Sequence, residues 1–187
     1  LGGAAHGPND AIAVPERFTL LTYMFLHGDI LHLTTNMLFL WVFGDNVEDA
    51  MGHARFLAFY LLSGLAAGLA HAVMREGSTI PLIGASGAVS GIIAAYLILH
   101  PMVRVWVLAF RFIPLRIPVW AALGSWLISQ VMMVLIPQYS DTAWWAHLGG
   151  FLAGALLVLV LRRRGTALFD RTAHGGNYPQ KPSTTPD

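Results

Sequence analysis

The sequence contains no cysteine. Disulfides, thiolate nucleophiles and cysteine-ligated metals are therefore excluded. Charge is almost as scarce. Only 11% of the 187 residues are Asp, Glu, Lys or Arg, against about 25% in an ordinary soluble domain. The formal net charge is +1, which leaves no basic footprint for nucleic acid. No positively charged stretch precedes an apolar core at the N-terminus, so no signal peptide is read there. The chain opens on Leu1 rather than Met, and further sequence is expected upstream. What is present is apolar: 56% of residues are hydrophobic and the mean hydropathy is +0.60. Such a composition implies a membrane protein before any motif is considered.

A membrane-spanning helix needs roughly 20 apolar residues. Four segments qualify: Phe56–Met74, the uncharged stretch from Gly77 to Val103 with its helix at Ser86–His100, Ile117–Ser140, and Thr142–Leu161. A fifth, Ile30–Gly44, is shorter and carries His32 and Asn36. It is read as the first of five spans. Cytoplasmic loops favour Lys and Arg. Placing Arg162–Arg164 inside also puts Arg55, Arg104, Arg111 and Arg116 inside, leaving Arg17 and Arg75 outside. Met102–Pro118 reads as an interfacial connection on the inner side, and Tyr139, Trp144 and Trp145 suit an outer aromatic belt. The membrane domain is expected over residues 1–164. Gly165–Asp187 is polar and rich in Pro and Gly, and reads as a disordered cytoplasmic tail.

Ionisable and polar residues inside spans are costly and mark function. His32 and Asn36 are four apart and share one helix face. Ser86 in "PLIGASGAVSG" begins the third span, and His147 in "AHLGGFLAG" begins the fifth. Both of these spans and the first run in the same direction, so the four residues lie at similar depth. Gly87, Gly91 and Ala95 recur every four residues, as do Ala146, Gly150 and Gly154. Stripes of small residues let helix backbones touch, which would bring Ser86 to His147. A serine hydroxyl needs a base to become a nucleophile. His147 is the candidate base, and no carboxylate lies near it in sequence. Acyl transfer also needs donors for the developing oxyanion. His32, Asn36 and the backbone N–H groups opening the Ser86 helix are the candidates.

Four motifs in order resemble the rhomboid family of intramembrane serine proteases. "HGDILHLTTN" matches H-x4-H-x3-N at His27, His32 and Asn36. "GDNVEDAMG" matches G-x3-E-x3-G at Gly44, Glu48 and Gly52. "GASG" matches the G-x-S-G around Ser86, with Gly84 and Gly87, and "AHLGGFLAG" matches the A-H-x2-G-x3-G carrying His147, Gly150 and Gly154. The resemblance runs from about Phe18 to Leu161. It implies an all-α bundle with six spans in the whole protein, five of them here and the first missing. It further implies a serine–histidine dyad, no cofactor, and cleavage of membrane-anchored protein substrates in the bilayer from a water-filled cavity. A bacterial inner membrane is the expected site, with the cavity opening outward. His27 either orients its loop or borders the cavity. Glu48 holds the inner turn. The tyrosine that some members carry one turn after the nucleophile is Ser90 here.

Two rival readings stand beside this one. The first is an inactive relative that binds membrane proteins without cutting them. The second is a haem or metal protein ligated by His32, His100 or His147. His71 and His100, near span ends, read as helix-to-helix hydrogen-bond partners.

Overall fold

A computed structural model describes residues 16–76, 80–109, 113–136 and 143–170. Short helix α1 (Glu16–Thr22) and a 3-10 turn (Tyr23–Phe25) precede the first long helix, α2 (Ile30–Met51). Then come α3 (His53–Met74), α4 (Ser86–Leu99), hairpin strands β1 (Arg104–Ala109) and β2 (Ile113–Pro118), α5 (Val119–Leu135) and α6 (Trp144–Leu161). The five long helices form the all-helical membrane bundle that the apolar runs predicted. α3 and α6 are each long and apolar enough to cross a bilayer, while α4 and α5 are shorter. Large apolar side chains such as Ile30, Trp41, Leu152 and Val160 point outward. In water such a surface would be an aggregation liability; on this bundle it faces lipid.

α2 extends seven residues past Gly44, through Asp45, Glu48 and Asp49, to Met51. Its acidic end lies beyond the apolar stretch and can stay hydrated. At the other end, the Asp29 side chain accepts a 2.7 Å hydrogen bond from the His32 N–H, satisfying one donor that an uncapped helix leaves free. A single residue, Gly52, turns α2 into α3. Its φ of +87° suits glycine.

α4 lies at the centre. Its buried residues run without a break from Gly87 to Tyr96, because α2, α3 and α6 surround it. The interfacial connection is an antiparallel β-hairpin pairing Trp106 with Arg116. The alternation in Arg-Val-Trp-Val has the period of a strand. Backbone bonds from Val119 N to Val103 O (2.7 Å) and Trp120 N to Pro101 O (3.0 Å) fix its base. Pro114 and Pro118 are tolerated because each strand of a lone pair has a free edge.

Helix α4 leaves its last carbonyls without intrahelical partners. Phe169 N donates to Ile98 O (2.8 Å) and Asp170 N to Leu99 O (2.9 Å), while Arg163 N donates to Ala50 O (2.8 Å). Residues 165–170, the start of the segment read as a tail, thus run back beneath α4. Tyr139, Arg111 and residues 171–187 lie outside the described residues.

Candidate active site

The site forms where α4 and α6 cross. A Cβ added to Gly150 would lie 1.9 Å from Gly87 O, and one on Gly154 would lie 2.4 Å from Gly91 Cα. Only glycine allows backbones this close. Ser86 precedes Gly87, and His147 precedes Gly150 by one turn. The crossing therefore sets Ser86 Oγ 2.9 Å from His147 Nε2.

The other nitrogen of His147, Nδ1, lies 2.7 Å from Gln130 Oε1 on α5. The indoles of Trp126 and Trp144 pack against the imidazole, with ring centroids 6.1 Å and 6.0 Å away. Ser90 takes no part in holding that ring. Its hydroxyl donates to Ser86 O at 2.7 Å, inside its own helix. Gln130 belongs to none of the sequence motifs. Its signal was that it is the one amide of α5, in a span where polar groups are costly.

Gly84 shapes the opposite wall. Its φ is +112°, and a Cβ there would fall 2.6 Å from His32 Nε2. Its N–H donates to Tyr23 O at 3.0 Å, which pins the loop leading into Ser86. Asn36 is 5% exposed, and its buried Nδ2 has no hydrogen-bond partner among the described residues. The N-cap residue of α4, Ala85, makes no side-chain cap bond, and the first backbone N–H groups of a helix have no intrahelical partners.

A cavity of about 560 Å³ is lined by Ser86 and His147 together with His32, Asn36, His71 and Trp126. Asp29, Arg75 and Ala143 also line it, so it opens where α2, α4 and α6 begin. Arg104 and Arg116 lie at the other end of the bundle. His71, expected to bond a neighbouring helix, has no partner for its buried Nδ1 among the described residues, and it lines the cavity.

His27 is not among the lining residues. It packs edge-on against His32, with centroids 5.1 Å apart. Burial, and next the proximity of His32, hold the His27 imidazole below its usual range. Glu48 lies away from the site, roughly 18 Å along α2 from Asn36. There its carboxylate contacts the His53 ring across the α2–α3 turn.

Residues 15–164 match the Rhomboid domain. The chain belongs to the rhomboid family. It is 30% identical to RHOMBOID-like protein 5 of Arabidopsis thaliana over 149 residues, 80% of this chain and 45% of that protein. It is 43% identical to Rhomboid protease GluP of Bacillus subtilis over 89 residues, 48% of this chain and 17% of GluP. Human presenilin-associated rhomboid-like protein, mitochondrial, is 32% identical over 139 residues, 72% of this chain and 35% of the relative. The chain thus spans less than half the length of these rhomboids. The family is known for intramembrane proteases, and its domain makes this chain an integral membrane protein.

Proposed function

We propose that this rhomboid is a serine endopeptidase that cleaves membrane-anchored protein substrates, with Ser86 as nucleophile and His147 as general base. The observation that carries the reading is the 2.9 Å approach of Ser86 Oγ to His147 Nε2 across two helices. Nε2 takes the hydroxyl proton as Oγ attacks the scissile carbonyl carbon. The resulting oxyanion accepts hydrogen bonds from Asn36 Nδ2, from His32 and from the opening N–H groups of α4. The positive end of the α4 dipole favours the same charge. His147 then returns the proton to the leaving amine, and the C–N bond breaks. Water, deprotonated by His147 in turn, hydrolyses the acyl-serine and regenerates Ser86. The scheme calls on no cofactor.

The water comes from the 560 Å³ cavity, whose polar wall reaches the end of the bundle. That end faces outward in a bacterial inner membrane, because Arg55, Arg104, Arg116 and Arg162–Arg164 gather at the opposite one.

Covalent labelling by a fluorophosphonate probe tests the mechanism. Wild type should label saturably, and Ser86→Ala and His147→Ala should not. Labelling that survives in Ser86→Ala would end the serine reading. A protein that folds but neither labels nor cuts a transmembrane substrate would be an inactive binder.

A further inference from the structure

Gln130 is 4% exposed in a helix whose other inward residues are apolar. An amide buried there must be satisfied to be tolerated. Both of its ends are satisfied, and the pattern fixes which end points where. Its Nε2 lies 3.3 Å from Trp126 O and 3.0 Å from Ser129 Oγ. A backbone carbonyl can only accept, so the NH2 group faces it. Ser129 donates its own hydroxyl proton to Trp126 O at 2.6 Å, and its oxygen is then free to accept from Nε2. The amide oxygen must therefore face His147 Nδ1, at 2.7 Å.

That oxygen carries no proton, so Nδ1 has to supply one. A neutral imidazole with its proton on Nδ1 has its lone pair on Nε2. Nε2 is the atom beside Ser86 Oγ. The chain from the Trp126 carbonyl through Gln130 thus sets the tautomer that a base requires. When His147 takes the serine proton, the same bond becomes charge-assisted and stronger. It therefore favours the imidazolium as it forms.

We infer that Gln130 is the positioning residue for His147, holding the ring in place and its proton on Nδ1. It fills the role of a triad's third member without a carboxylate. The inference rests on the serine-protease reading, and its test separates the two.

The purified protein, in detergent or reconstituted, is assayed with a transmembrane substrate across pH, alongside Gln130→Leu and Gln130→Glu. Gln130→Leu leaves Nδ1–H without an acceptor. Its kcat should fall about 10–100-fold, as when an imidazole's orienting partner is removed elsewhere, with KM within about twofold. Gln130→Glu keeps the acceptor and adds charge. It should hold kcat within about threefold of wild type, and the acid limb of its pH–rate profile should move to higher pH, because a carboxylate favours the protonated ring. A ¹⁵N-histidine NMR spectrum of the protein should show His147 protonated on Nδ1, independent of any turnover.

Unchanged kcat in Gln130→Leu, a loss confined to KM, or a wild-type His147 protonated on Nε2 would each overturn the inference. Should Gln130→Leu not fold, the wild-type tautomer and the Gln130→Glu profile decide. Loss of Ser86-dependent labelling in wild type would instead sink the protease reading.

Discussion

Gly150→Ala puts the helix crossing itself under test. The new Cβ would stand 1.9 Å from Gly87 O and 2.8 Å from Gly87 C. Ordinary contact begins at 3.4 Å, and neither obstacle is a side chain that can swing aside. α4 and α6 must therefore part by about 1.5 Å at that point. Ser86 and His147 flank the crossing, so their 2.9 Å separation would grow to about 4.4 Å, beyond hydrogen-bond reach. A misplacement of about 1 Å can lower turnover about 10²-fold. Overpacking of this kind costs about 1–3 kcal/mol, less about 0.5–1 kcal/mol for replacing glycine in a helix. The bundle should therefore survive with a lowered melting point while activity collapses. Probe-labelling rate, substrate turnover and thermal melting by circular dichroism in micelles read these apart. Gly154→Ala should be milder, since its Cβ meets Gly91 at 2.4 Å and lies a turn further from the dyad. Gly124→Ala on α5, with nothing within 4 Å, should be harmless. Gly150→Ala labelling at the wild-type rate would refute the claim that backbone contact sets the serine–histidine distance.

Ser86→Ala and His147→Ala should each reduce cleavage to background, and the double variant should be no worse than either, since the pair acts as a unit; an additive loss would assign the two residues to separate steps. Asn36→Ala should lower kcat by about 10²–10³, the effect of removing an oxyanion donor elsewhere, and a change in KM alone would make Asn36 a substrate-binding residue. Because the chain has no cysteine, Ser183→Cys gives a single label, which an impermeant reagent should reach only after the cells are opened. Labelling in intact cells would invert the orientation.

The apolar runs made the bundle legible, because lipid demands them residue by residue. The ends of helices were less legible. α2 carries on through Asp45 and Asp49, since backbone hydrogen bonding does not stop where hydrophobicity does. The hairpin was written in the alternation of Arg104, Val105, Trp106 and Val107, but two prolines and a short length masked it. In the site, Ser86, His147, His32 and Asn36 stood out as polar groups in apolar helices, and the glycine stripes announced which helices touch. Gln130 did not stand out. It is no nucleophile, base or ligand by type, and its part depends on a partner 17 residues away. Ser90, at the position where some rhomboids carry a tyrosine, left the support of the His147 ring open in the sequence; its hydroxyl bonds its own helix. His71 lies near a span end in sequence, and only the folded chain brings it to the cavity.

The shortness of α4 sets a depth. Its 14 residues rise about 21 Å, while the hydrocarbon layer is about 30 Å thick. Its far end meets the hairpin that carries Arg104 and Arg116, whose charges belong at the bilayer surface. Ser86 then lies about 9 Å beneath the opposite surface, a drop of about six residues of helix or three of extended chain. Under the proposed mechanism, a membrane-anchored substrate cut at Ser86 would have to deliver an unwound peptide bond to that level. Substrates would then be sorted by how readily their first two turns come apart, with glycine or proline near the top of the span counting for more than any single side chain at the cut.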